Sequence, residues 1–209
     1  MGALAAHVHQ VVFHTDLAAD SRASFRALAT EGLSDHFAVD FDGTLFAELD
    51  AGFAAYHAEA ANNLSLSVTL NNMMRNLARE PDAAPYLAKH PRLAEMALHP
   101  RLRGEAAVIN HGPKLQSYGY TEAQYRTLGS LARLLATVFP RIASIPKGDD
   151  GHVSMNTLED PMAFDGFMAH WHWSADRWDP GPSFDWNRFA LLLANGPNAA
   201  GYPFGAAPR

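Results

Sequence analysis

Cysteine is absent from this chain of 209 residues. That excludes a disulfide framework and every cysteine-based zinc site, and it leaves thiols silent about redox compartment. A bound metal would have to be held by His, Asp or Glu. No window of about 18 apolar residues occurs, so no membrane span is expected. The opening residues, MGALAAHVHQ, carry no basic segment followed by an apolar run, so no leader is visible. Basic charge is also short: 16 Lys and Arg stand against 22 Asp and Glu, a formal net charge of −6. Affinity for phosphate backbones comes mostly from clustered Lys and Arg, so a general nucleic-acid binder is not expected.

What is present suffices for one domain: 48% of the residues are hydrophobic, enough to bury a core without covalent staples. Residues 1–194 are expected to form that domain. The tail from 195 to 209, rich in Gly, Pro and Ala, is expected to be poorly ordered. Residues 72–119 hold five prolines that divide short helical pieces and look like an insertion. Seven basic residues there face four acidic ones. The segment reads as a solvated loop, with a basic cleft wall attracting an anionic substrate as the sharper alternative.

Val8 to Phe13 is a β-branched and aromatic run, hence a buried strand, that delivers His14 to its end. A short amphipathic helix follows over Ser21 to Ala29 with Ser21 as N-cap, ending by Gly32. His36 to Val39 and Leu45 to Leu49 flank Asp42-Gly43 and predict an antiparallel hairpin. Leu64, Leu66, Val68 and Leu70 alternate with Ser65, Ser67 and Thr69, so one strand face is buried and the other is hydroxylated, either solvated or the floor of a polar cleft. Thr121 to Gln124 is a capping box, and Tyr125, Leu128, Leu131, Leu135 and Val138 form one helical stripe that stops at Pro140. Phe164 to Ala169 is a strand leading to His170, and a final helix spans Phe184 to Leu193.

The stretch Gly166 to Trp186 crowds His170, His172 and Asp179 onto one strand end and loop. With His14 at another strand end, three protein ligands plus a water match a catalytic zinc site, whereas structural zinc sites are closed by four ligands. On a strand, His170 and His172 would share a face, so either fits the ligand role. The alternative is that both pack among Trp171, Trp173 and Trp178 while Asp179 begins a turn.

The order of elements from Val11 to Trp186 resembles the zinc-dependent N-acetylmuramoyl-L-alanine amidases of the type shared with phage amidases and the peptidoglycan recognition proteins. The residues that carry it are Val12-Phe13-His14-Thr15, Asp35 to Thr44, Tyr56-His57-Ala58 with Asn62-Asn63 and Ser65, Gly119 to Tyr125, Ala169-His170, and Asp179 to Pro182 with Phe184-Asp185-Trp186. The resemblance implies an α/β fold, a central mixed sheet flanked by helices. It implies Zn2+ held by His14, His170 and Asp179, and cleavage of the amide between N-acetylmuramic acid and L-alanine in peptidoglycan or muropeptides. It places the activity in the cell envelope or outside the cell, with a cytoplasmic recycling role left open.

Three departures from the family bear on catalysis. Thr69 stands where many members carry a glutamate, Asp35 where phage relatives use a tyrosine, and Arg177 where a lysine is common. Asp35 is the candidate for orienting or deprotonating the water, and Arg177 for stabilising a developing oxyanion. His57, Thr69 and Asn63 are expected on the substrate side, and His172 as a residue orienting a ligand or as a ligand itself. The alternatives to an active amidase are a peptidoglycan-binding module of the same fold with weak or no turnover, and a zinc hydrolase of another amide.

Overall fold

The computed structural model describes residues 7–16, 18, 20–72, 74–76, 78, 82, 84–89 and 105–196. Its main sheet has five strands: β1 (Gln10–Asp16), β2 (Phe37–Val39), β3 (Leu45–Ala47), β4 (Ser65–Asn71) and the strand Gly166–Ala169. Their order is β3, β2, β4, β1, then Gly166–Ala169. β1 runs parallel to both its neighbours and β2 runs parallel to β4, while β3 closes the edge antiparallel to β2. The sheet is therefore mixed, as expected, and the predicted hairpin is its antiparallel edge.

Between β4 and the long helix lie β5 (Met74–Asn76), β6 (Glu105–Val108) and β7 (Lys114–Ser117), a three-stranded antiparallel sheet in the order β5, β7, β6. The expectation of short helical pieces for residues 72–119 holds at Ala84–Lys89 and is corrected at Met74–Asn76, Glu105–Val108 and Lys114–Ser117, which pair as strands, while residues 90–104 lie outside the described residues. The prolines dominated that expectation, but they fall outside these short strands, where Leu115 alternates with polar neighbours and is buried. The cationic cleft wall falls on side chains outside the described residues, apart from exposed Lys114. The tail beyond Gly196 also lies outside them.

In chain order the helices are α1 (Ser21–Glu31), α2 (Ala84–Lys89), α3 (Glu122–Val138), α4 (His170–Trp173) and α5 (Trp186–Asn195), and the last main-sheet strand, Gly166–Ala169, is β8. Asp20, not Ser21, caps α1 by accepting from the Ala23 N–H at 2.8 Å, and Gly32 ends the helix at φ 72°. A carboxylate one residue earlier outcompetes the serine, whose hydroxyl is drawn instead to Asn71. The capping box at Thr121 and Gln124 forms as predicted, and both side chains do more: Thr121 donates to Phe41 O and Gln124 to Asn71 O, tying α3 to the sheet end.

Alternation along the strands sorts the two faces. Val11 and Phe13 of β1, Leu66, Val68 and Leu70 of β4, and Phe167 of β8 join one core with Tyr125, Leu128, Leu131 and Leu135 of α3 and Phe189 and Leu192 of α5. Phe13 meets the Phe189 ring edge-on at 5.1 Å and lies 5.8 Å from Trp186. α3 and α5 pack closely because Gly129 has no side chain: a β-carbon there would stand 2.9 Å from Leu192 Cβ. The opposite parity, Ser65, Ser67 and Thr69 on β4 with His14 on β1, therefore points away from this core. That face carries the functional groups. Among the described residues no helix is long and apolar enough to cross a membrane.

Candidate metal centre

The ladder between β1 and β4 pairs His14 directly with Thr69, so a histidine and a hydroxyl emerge side by side near the strand ends. β8 stops at Ala169, and His170 begins the single helical turn α4. The turn redirects the two histidines. His170 faces His14 with ring centroids 4.5 Å apart, while His172 turns into the interior. There its Nδ1 accepts from the Ala169 N–H at 2.9 Å and its Nε2 lies 2.7 Å from Ser154 O. His172 is fully buried, and burial drives its pKa down to about 4. The expectation of a His-x-His pair on one strand face is thereby corrected: both His172 nitrogens have protein partners, and it supplies no ligand atom.

Asp179 reaches the same point from the loop before α5. Its Oδ2 lies 2.9 Å from His14 Nδ1 and 3.1 Å from His170 Nδ1. Two stitches hold that loop. Tyr120 OH donates to Pro180 O at 2.7 Å and contacts the Thr15 hydroxyl, and Ser183 donates twice to Ser117, from its N–H to Oγ and from its hydroxyl to the carbonyl oxygen. Asp179 and Pro180 are joined by a cis peptide bond.

One ligand atom from each of His14, His170 and Asp179 lies within 4.8 Å of the others. Two imidazole nitrogens and one carboxylate oxygen with room for a water suit zinc. The electrostatics agree with a shared cation. Burial pulls the His14 pKa down, but the Asp179 hydrogen bond and charge, joined by Asp35, lift it above the ordinary value. Burial holds the His170 pKa low. Burial opposes charge on Asp179 too, yet the two histidines hold its carboxyl far below the usual range. Three convergent groups, one anionic and poorly solvated, could hold a cation.

No family model matches the chain. A stretch of 76 residues is 34% identical to the 1,6-anhydro-N-acetylmuramyl-L-alanine amidase AmpD of Salmonella typhimurium, covering 36% of this chain and 29% of that protein. The aligned stretch is thus under a third of the length of these curated relatives. Among solved structures, an AmpD derivative covers 90% of this chain and 85% of its own at 17% identity and TM-score 0.50. The N-acetylmuramoyl-L-alanine amidase LysC of Clostridium intestinale covers 90% and 86% at 13% identity and TM-score 0.52. AmpDh3 of Pseudomonas aeruginosa, solved with an anhydromuramic pentapeptide, covers 88% of this chain and 59% of its own at 16% identity and TM-score 0.54. The chain has the fold of the N-acetylmuramoyl-L-alanine amidases.

On that amidase fold the remaining predicted residues fall unequally. Asp35 is buried, and Thr69 donates to its Oδ2 at 2.5 Å. Thr69 is itself 1% exposed, so the expected substrate contact is corrected: its hydroxyl holds Asp35, and burial keeps it from a ligand. Arg177 is exposed, yet its charge bears on both His14 and His170. His57 contacts the centre through a protein partner, with Nδ1 2.9 Å from His14 Nε2. Asn63 is exposed in the turn before β4, and it is Asn62 whose Oδ1 accepts from the backbone N–H groups of His57 and Ala58.

Sequence reasoning missed Glu48, just beyond β3. Its Oε2 is buried with no hydrogen-bond partner among the described residues. Burial, with Asp35 and Asp16 nearby, raises its pKa to about 7. Asp16 at the end of β1 is likewise raised to about 6, by burial first and then by neighbouring carboxylates that include Asp35. The only sequence signal was a run of isolated acidic residues in separate segments, which the sheet gathers around Asp35.

Proposed function

We propose that this protein is a zinc-dependent amidase that cleaves the amide between N-acetylmuramic acid and L-alanine, acting on muropeptides. The observation that carries it is the convergence of His14, His170 and Asp179 at the strand ends of an amidase fold. The names of the relatives, one specifying 1,6-anhydro-N-acetylmuramyl-L-alanine and one solved with an anhydromuramic pentapeptide, favour soluble anhydro fragments over polymeric wall as substrate. Such fragments suit a recycling role inside the cell as well as action in the envelope.

His14 and His170 through Nδ1, and Asp179 through Oδ2, would hold the ion. Bound zinc supplies Lewis-acid polarisation of the amide carbonyl and acidifies a water at neutral pH. Asp35, fixed by Thr69 and near enough for its charge to act on His14, orients the attacking water and takes its proton. Arg177 faces the negative charge that develops on the carbonyl oxygen, as a fixed cation that donates hydrogen bonds but not its proton. The C–N bond then breaks, the alanine nitrogen leaves protonated, and the products are the muramyl carboxylate and a free stem peptide.

The test is to incubate zinc-loaded protein with purified anhydro-muropeptides and analyse products by mass spectrometry, with His170→Ala as control. Free stem peptide that depends on zinc and His170 supports the amidase. The replacement of the family's strand glutamate by Thr69 favours a second reading, a peptidoglycan-binding module. Retention of muropeptide without product supports that one.

A further inference from the structure

We infer that His57 and Ser65 are positioning residues that fix the tautomer of His14, so that its Nδ1 presents a lone pair to the cation site. The inference rests on the assignment of His14 as a metal ligand, and it follows from counting hydrogens along one chain of contacts. Ser65 Oγ lies 2.7 Å from Ala61 O, and a peptide carbonyl only accepts, so the single hydroxyl hydrogen points there. Ser65 Oγ also lies 3.0 Å from His57 Nε2. With its hydrogen committed, Ser65 accepts, so His57 carries its proton on Nε2. His57 Nδ1 is then a bare acceptor, 2.9 Å from His14 Nε2, which must donate. The one hydrogen of a neutral His14 is therefore on Nε2, away from Asp179.

That leaves His14 Nδ1 without a hydrogen and 2.9 Å from the Asp179 carboxylate. Two electron-rich atoms at that distance need a positive charge between them, supplied either by a second proton on His14 Nδ1 or by a metal ion in its place, and the Nε2–H tautomer leaves Nδ1 open to the metal. Reversing any link breaks the chain: a proton on His57 Nδ1 would face His14 Nε2 and drive the His14 hydrogen onto Nδ1, where it competes with the metal. The relay is built rather than incidental. Ser65 is buried at 2%, and Asn62 anchors the His57 backbone at 2.9 Å. Ser65, Ser67 and Thr69 thus line a single strand face with distinct tasks, since Ser67 Oγ accepts from the His36 N–H and Thr69 holds Asp35.

The experiment uses the full chain and zinc alone, with affinity measured by chelator competition and the His14 imidazole N–H followed by NMR in the zinc-loaded protein. His57→Phe removes the acceptor and is expected to weaken zinc binding roughly tenfold to a hundredfold, as loss of partners to ligating histidines does. The His14 Nε2–H signal should then exchange rapidly with solvent. His57→Asn, whose Oδ1 can accept from His14, is expected to recover most of the affinity. Ser65→Ala is expected to weaken zinc about tenfold while leaving the metal-free melting temperature within a few degrees, and it carries the test if His57→Phe does not fold. Zinc affinity within twofold of wild type in Ser65→Ala, with an unchanged His14 N–H signal, overturns the inference while the metal assignment stands. A wild-type chain that binds no zinc overturns the metal assignment and this inference with it. Amidase turnover is not read, so a binding-only protein gives the same decisive result.

Discussion

His14 and Thr69 are directly paired across the parallel ladder of β1 and β4, and Thr69 passes the alignment on by donating to Asp35. A candidate ligand and a candidate base are thus held in register by backbone pairing. Thr69→Val keeps the shape and β-propensity of the residue but deletes the hydroxyl. Hydrogen bonds to charged groups contribute about 1.5–3 kcal/mol, so kcat on an anhydro-muropeptide is expected to fall about tenfold to a hundredfold. Zinc affinity, measured by chelator competition, should stay within a few-fold of wild type. A variant with undiminished kcat would remove Asp35 from the chemistry.

The centre itself predicts a ligand-linked stability. Zinc at about 100 times its Kd should stabilise the wild type by about 2.7 kcal/mol. Asp179→Ala removes the carboxylate that both histidines face, so its melting temperature is expected not to respond to zinc. Calorimetric scans with and without metal decide this. An equal zinc-dependent shift in wild type and variant would place the metal elsewhere.

Most of the main sheet was legible because its strands alternate or run continuously apolar, and α3 announced itself through its capping box and stripe. The partnership of His14 with Asp179 spans 165 positions, and the sequence alone marked them only as ligand types at strand and loop ends. What local pattern could not supply was direction. His170 and His172 are equivalent on a strand, and only the helical turn starting at His170 separates them. Thr69 read as a substrate contact and Ser65 as a strand hydroxyl, because their partners Asp35 and His57 arrive from loops whose paths are set by tertiary packing. Glu48 had only the weak signal of one isolated acidic residue among several, since a carboxylate on an edge hairpin is ordinarily solvated.

The separation of the two histidines is testable. His172→Phe preserves a buried ring but strands the Ala169 N–H, which loses its imidazole acceptor, while the Ser154 carbonyl keeps the Trp171 Nε1–H at 3.1 Å. Burying such a group unpaired costs about 1–3 kcal/mol. Urea denaturation should show that loss, while zinc stoichiometry measured by atomic absorption stays at the wild-type value. Loss of metal from a variant that still folds would restore His172 as a ligand.

Glu48 gives a pH dependence with a definite sign. Its pKa is raised from 4.5 to about 7 by burial first, then by Asp35 and Asp16. Between those values the folded protein holds a proton on Glu48 that the unfolded chain has released. Folding stability therefore falls as pH rises through this window, and the strain is complete once the folded group ionises above about pH 7. Glu48→Gln abolishes the ionisation while keeping size and polarity. At pH 5 the variant and wild type should melt at nearly the same temperature, because the wild-type group is already neutral in the fold. At pH 8 the variant should melt higher, by an amount that grows steadily across the interval. A melting difference that is flat with pH would mean that the Glu48 carboxylate is as well solvated in the fold as in the unfolded chain, and that the carboxylates around Asp35 do not act on it.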